Sequence, residues 1–276
     1  MSERREAMRR RARGAFFCGI VLTLISVSAS VQGFGDDKQA EEEQKARKLW
    51  EAAVAAKGGR EKLRSVHSFY IASEAKSGSR NYDLYIFPDR SLQYSYWAAF
   101  ERTDIDVYNG RLNVTWWQEG SDPAQRLKDN ETAVEHMKRD QMLFLLVTKW
   151  LEPKPLRTRK EWIGLKRVDV VETDVDGWRV DYYLDSKTSL PVRVTFGLSY
   201  LERAKGKMNR VVDMSDYAAV SGIMLPHKLT YSFTDGPEKS VQQAKYEINV
   251  DFDEQIFERP PTPKMTPDSW RRQQKH

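Results

Sequence analysis

The sequence predicts a mainly β (α+β) fold, a large curved antiparallel sheet or half-barrel of about eleven strands covered by a few helices. Three observations predict it. Apolar and polar residues alternate with period two through most of the 276-residue chain, the pattern of half-buried strands. Tight-turn dipeptides (Asn109-Gly110, Asp176-Gly177 and Asp235-Gly236) separate successive runs, and such pairs supply the positive φ of two-residue hairpins. Extended helical periodicity is confined to residues 36–57 and 123–151.

In chain order, Ala46, Leu49, Trp50, Ala53 and Val54 form one helical stripe, and Gly58-Gly59 stops it. A short helical turn is expected over residues 60–64. Phe69, Ile71, Ser73 and Ala75 then share one strand face. Tyr82, Leu84 and Ile86 alternate with Asp83, Tyr85 and Phe87, and Leu92, Tyr94, Tyr96 and Ala98 alternate with Gln93, Ser95 and Trp97. Ile105 and Val107 lead into Asn109-Gly110, and Leu112, Val114 and Trp116 return. Asp122-Pro123 reads as an N-cap followed by a first-turn proline, opening a helix over 123–151. Its end, Met142 to Val147, is apolar nearly all round and must be buried. Pro153 and Pro155 end it.

The second half is β again. A strand is expected from Ile163 to Thr173. Trp178, Val180, Tyr182 and Leu184 alternate with Arg179, Asp181, Tyr183 and Asp185. After the Asp185–Thr188 turn come Val192, Val194, Phe196 and Leu198, so Trp178, Tyr182, Val192, Val194 and Phe196 are expected to face inward together. Further strands are read at Arg210 to Ala218, at Leu229, Tyr231 and Phe233, and at Val241 to Val250. Pro260, Pro261, Pro263 and Pro267 mark residues 263–276 as a flexible tail.

Residues 1–33 resemble a secretory signal. Six arginines precede the apolar run Ala15 to Val27, and small residues follow at Ser28, Ala29 and Ser30. Cleavage near residues 30–33 would leave residues 34–262 as the half-barrel domain, exported to the periplasm. The alternative is an inner-membrane anchor left uncleaved. This segment carries four of the five net positive charges, so the remainder is nearly neutral and presents no basic stripe for nucleic acid. Cys18 is the only cysteine, which excludes an internal disulfide, and Phe16-Phe17-Cys18 is not a lipidation site.

Four segments carry a resemblance. Asp176 to Val194 (DGWRVDYYLDSKTSLPVRV), Gly222 to Tyr231 (GIMLPHKLTY) and Tyr246 to Pro261 (YEINVDFDEQIFERPP) resemble the bacterial outer-membrane lipoprotein-sorting family, as does Ala55 to Phe69 (AAKGGREKLRSVHSF). The resemblance spans about residues 45–260. It implies a half-open β-barrel wrapped over helices, with an apolar concave face that holds acyl chains of a lipid or lipoprotein. It supplies no catalytic residues.

The candidate ligand-binding wall is Tyr94, Tyr96, Trp116, Phe144, Leu145, Trp178, Val180, Tyr182, Val192, Val194, Phe196, Tyr231 and Phe233. Aromatic residues with polar tips suit a cavity wall, and the same residues could equally pack as a closed core. The Met142–Leu146 segment is expected to lie over the sheet and gate access to it. His67, His136, His227 and His276 show no paired metal-ligand spacing, and Asp174-Val175-Asp176-Gly177 lacks the remaining calcium ligands. No phosphate loop, nucleophile elbow or acid–base constellation is legible, so no cofactor, metal or enzymatic activity is expected. Two functions remain: a periplasmic carrier of an acylated lipid or lipoprotein with transient membrane contact, or an envelope sensor that binds a protein partner.

Overall fold

The computed structural model describes residues 33–127, 130–197, 209–234, 239–262 and 265–270. The expected signal segment up to residue 32, the Asp235-Gly236 turn and residues 271–276 of the expected tail lie outside the described residues.

Two helices open the fold, α1 (Gly33–Ala56) and α2 (Arg60–Arg64). The predicted stripe of α1 is the face it buries: Ala46, Trp50, Ala53 and Val54 are all inaccessible. Its end is fixed by a close approach. Gly58 has φ +126°, and a Cβ there would stand 2.4 Å from the Gly222 carbonyl oxygen, so only glycine lets the helix end dock on that hairpin.

A meander follows: β1 (Ser68–Ala75), β2 (Arg80–Ile86), β3 (Arg90–Trp97), β4 (Arg102–Asn109), β5 (Val114–Glu119) and β6 (Gln125–Leu127). After helix α3 (Glu131–Leu143) comes a second meander: β7 (Lys154–Ile163), β8 (Lys166–Val175), β9 (Trp178–Asp185), β10 (Pro191–Gly197), β11 (Asn209–Val220), β12 (Ile223–Phe233) and β13 (Ser240–Ile248). All thirteen join one open, curved antiparallel sheet of order β6-β5-β4-β3-β2-β1-β13-β12-β11-β10-β9-β8-β7. The two meanders meet where β1 pairs with β13, in the register Phe69↔Ile248. The first runs outward to one edge, β6, and the second begins at the other edge, β7. The connection through α3 must therefore cross from edge to edge, and it does so over the inner face.

The count of thirteen corrects the expected eleven. β6 lies inside the stretch read as helix, and its three residues pair with Thr115, Trp116 and Trp117 instead. β7 was hidden because it is an edge strand whose Lys154, Arg157, Arg159 and Lys160 mask the alternation; charge on an edge blocks pairing with other chains.

The helix expected over 123–151 is likewise shorter. α3 ends at Leu143, and Leu145 takes a left-handed φ of +50°. Leu146 N–H then donates to the Gln141 carbonyl at 2.8 Å and Leu145 N–H to the Met142 carbonyl at 3.0 Å, the hydrogen bonds of a Schellman stop. The apolar segment is thus a helix end plus a tight turn, and Met142 to Val147 are all buried.

Both faces of the first meander are covered, and the inner face of the second. On the inner face, α1, α2 and the α3–Val147 crossover pack on β1, β2 and β8–β13. On the outer face of β1–β5, Tyr70, Leu84, Leu92, Ile105 and Val107 pack under Phe252, Ile256, Phe257, Met265 and Trp270. Residues 265–270 of the expected loose tail are therefore a structural cover, because the outer face of the first meander is itself apolar. A small third cluster joins Val168, Val170 and Tyr183, with Ile163 and Val192 against it.

Candidate functional site beneath the crossover segment

The inner face divides into an apolar half and a polar half. In the apolar half, Val180, Tyr182, Val194 and Phe196 project from β9 and β10 and are buried against α1 and the crossover. Phe144 and Leu145 meet them from above. Phe144 packs edge-on to Phe69 and Tyr246, each with ring centroids 5.5 Å away, and Trp50 meets Tyr182 at 5.2 Å. The Tyr182 hydroxyl donates to the Met142 carbonyl at 2.7 Å, one of the few hydrogen bonds that tie the crossover to the sheet.

Trp178 is half-buried and opens onto a cleft of about 540 Å³ between α3 and the sheet. Val134, Met142, Val175 and Tyr108 line it, with Lys138 and Asp176 bonded to each other across its wall. Tyr231 and Phe233 sit at the far side of the second meander, both beside the Arg210 guanidinium at 5.7 and 5.6 Å.

The remaining wall residues do not join this group. Tyr94 and Trp116 pack into the outer cluster, and the register of β3 places Tyr96 on the same outer side as Tyr94. Strands β3 to β5 carry their apolar alternation outward, toward Trp270, while β1 and β2 also bury Phe69, Ile71 and Tyr85 on the inner face. Val192 is also displaced. A β-bulge between Pro191 and Arg193 interrupts the β9–β10 ladder, and Val192 packs with the third cluster while Val194 and Phe196 keep the inner face. One extra residue in a ladder shifts the side-chain alternation around it.

The first meander also turns polar groups inward. Ile71, Asp83, Gln93 and Asp106 form one cross-strand row. α3 lays His136 and Asp140 over this row. The Tyr85 hydroxyl donates to the Asp140 carboxylate, Gln93 Nε2 donates to the Tyr85 oxygen at 3.0 Å, and His136 Nδ1 stands 3.4 Å from Gln93 Oε1. A cavity of about 60 Å³, lined by Ser91, Gln93, Asp106, Thr115 and His136, adjoins the network. It is large enough for an ordered water, and those five side chains offer it polar partners within a mostly apolar wall.

Burial sets the electrostatics of this cluster. Asp83 is pushed well above the carboxylate range by burial and then by the Asp140 charge. Asp140 is raised by burial, against the opposing Arg139 charge and the Tyr85 hydrogen bond. Asp106 rises to about 6, from burial and the nearby Asp104. His136 falls to about 4 through burial and the Arg139 and Arg210 charges. None of these groups belonged to the wall read from the sequence. In sequence they occupy the polar positions of alternating strands, which ordinarily face water.

These shifts predict a pH dependence. A carboxyl whose folded pKa is raised stabilises the fold while protonated and loses that contribution as pH rises. Relative to the Asp106→Asn variant, the native chain is expected to lose stability as pH rises from about 4, the unfolded value, through about 6, and to change no further above. His136 runs the other way, its contribution present above about 6.5 and lost as pH falls, so the native curve alone mixes the two effects. Urea unfolding of both chains at about pH 4.5 and pH 7.5 checks this. An equal stability difference at the two pH values would reject it.

Among the described residues, no three His, Cys, Asp or Glu side chains are placed to hold a metal ion, and no helix is long and apolar enough to cross a membrane. No family model and no curated protein matches the chain. Solved structures are similar to it in fold. A LolA superfamily protein from Nitrosomonas europaea aligns at 16% identity and TM-score 0.45, covering 77% of this chain and 96% of its own. A DUF1329 family protein from Desulfovibrio piger aligns at 11% identity and TM-score 0.47, covering 77% and 96%. An outer membrane lipoprotein-sorting protein domain from Vibrio parahaemolyticus aligns at 13% identity and TM-score 0.43, covering 77% and 97%.

Proposed function

We propose that this protein is exported to the periplasm and binds an acyl chain of a lipid or lipoprotein between the inner face of its sheet and the α3–Val147 crossover. One observation carries the reading: the apolar floor of Val180, Tyr182, Val194 and Phe196 is roofed by a segment that pairs with no strand. A roof held by side-chain packing and a few hydrogen bonds can lift without breaking the sheet. The cleft beside it, about 540 Å³, lies within the usual range for small-ligand sites and has apolar walls at Val134, Met142, Val175 and Trp178. An acyl chain entering there gains about 0.8 kcal/mol for each buried CH₂, which offsets the packing given up as Phe144 and Leu145 move aside.

Mass spectrometry of lipids that co-purify with the chain from its native envelope tests this. Stoichiometric acylated lipid is the expected result, and an acyl-chain fluorophore is expected to displace it. Purification with a protein partner and no lipid would support the envelope-sensor reading instead.

Acid–base catalysis is a second reading, favoured by the convergence of Asp83 and Tyr85 of the sheet with Asp140 of α3. Such chemistry needs room for a substrate beside the acids, and the adjoining cavity holds only about 60 Å³. The cluster fits better as a polar seat for the roof.

A further inference from the structure

We propose that the β7–β8 hairpin tip is a membrane-docking element that places Trp162 and Leu165 in the headgroup region of an anionic lipid bilayer. This is independent of what the inner face binds.

The tip is built more apolar than its fold requires. Ile163 pairs with Lys166, leaving Gly164-Leu165 as a two-residue loop. Gly164 has φ +60° and Leu165 does not, so the glycine alone meets the special backbone demand of the turn. The second loop position tolerates nearly any residue, and a polar one would fold as well. Leu165 is nonetheless 97% exposed, and Trp162 beside it is 68% exposed. Other hairpins of this sheet turn on polar residues, Asp176-Gly177 and Ser186 to Thr188 among them.

Exposed aromatic residues elsewhere have work within the chain. The indole of Trp97 donates to Asp104 at 2.8 Å, and Phe100 lies against the Arg102 guanidinium. Trp162 has no hydrogen-bond or ring partner among the described residues.

Charge selects the partner. Lys160, Lys166 and Arg167 surround the two apolar side chains and are exposed. Two carboxylates are nearby: Arg159 already holds Glu161, and Asp169 stands opposite Lys160, so the three cations still outnumber the remaining acid. Cations around a tryptophan and a leucine match the boundary between anionic headgroups and acyl chains, where indole rings concentrate. The base of the hairpin is rigid, because Ile163 packs on the Val168, Val170 and Tyr183 cluster. Little conformational entropy is then lost on docking. A two-residue tip also offers far less than the roughly 800 Å² that a stable protein partner covers, whereas a bilayer needs only local insertion.

The test uses the chain purified from its native envelope, carrying a photoreactive diazirine analogue of leucine in place of Leu165. A second sample carries the analogue in place of Leu112, which is 55% exposed on another turn. Both are irradiated with phosphatidylethanolamine vesicles with and without phosphatidylglycerol, and adducts are read by mass spectrometry. Lipid adducts at position 165 that depend on phosphatidylglycerol, and exceed those at position 112 at least about tenfold, are expected. Trp162→Ser is expected to reduce the yield at 165, and each of Lys160→Gln, Lys166→Gln and Arg167→Gln by about fivefold. All four side chains are exposed, so folding is preserved, and circular dichroism verifies it. Equal yields at 165 and 112, no lipid adduct at 165, or cross-linking of 165 to a protein in envelope extracts without lipid adducts would each overturn the proposal.

Discussion

Trp270→Ala is expected to lower the stability of the chain by about 3–5 kcal/mol, the range for emptying a well-packed aromatic site. Trp270 is fully inaccessible. Its ring meets Tyr70, Tyr82 and Tyr94 with centroids 6.0 to 6.5 Å away, and its carbonyl accepts the Asp253 N–H at 2.9 Å. The residue closes the outer core of the first meander, so its loss exposes Leu84, Leu92 and Ile105 beneath as well. The indole N–H is buried without a hydrogen-bond partner among the described residues. A phenylalanine there forfeits some packing but no hydrogen bond, so Trp270→Phe is expected to cost much less, about 1–2 kcal/mol. Urea unfolding with an unchanged m-value measures both. A loss below about half a kcal/mol in Trp270→Ala would mean that the C-terminal segment is the loose tail its prolines suggest.

Leu145→Gly sets two effects against each other. The left-handed backbone at φ +50° costs a leucine about 1–2 kcal/mol, which glycine avoids. The side chain is buried in the main core, and truncating such a leucine costs about 2–5 kcal/mol. Burial outweighs backbone strain, so the variant is expected to be less stable despite its relaxed backbone. Phe144→Ala adds a similar loss, with the pair departing from additivity because the two residues are neighbours. If the crossover is a movable roof, its destabilisation also lowers the cost of opening. Each 1.4 kcal/mol removed from the closed state raises the apparent affinity for an acyl-chain fluorophore up to about tenfold. A variant that remains folded, is measurably less stable and binds the probe no better than the native chain would falsify the roof while leaving the core intact.

The residues behind these predictions were legible to different degrees. The α1 stripe and the clean alternation of Trp178, Val180, Tyr182 and Leu184 were readable because helix and strand periodicities are local. Val194 and Phe196 kept that face while Val192 did not, since a bulge is a property of two paired strands and leaves no mark in one. β7 escaped notice because its cations serve an edge, and an edge exists only once the sheet is assembled. The buried acids were hidden for a related reason. Asp83, Gln93 and Asp106 stand at ordinary polar positions of their strands, and only the arrival of α3 removes them from water.

By itself, the sequence determined which segments are strands and helices over most of the chain, where most turns fall, and that the sheet is antiparallel and extensive. These follow from short-range sterics and from apolar periodicity. Tertiary structure alone decided which face of each strand is the inner one. Alternation assigns a strand two faces without saying what covers either. In this fold the helices and crossover cover one side, and the C-terminal segment covers the other over the first meander. The apolar side of β3, with Tyr94 and Tyr96, therefore turns away from the helices, while that of β9, with Val180 and Tyr182, turns toward them, because the burial each face gains depends on elements distant in the chain.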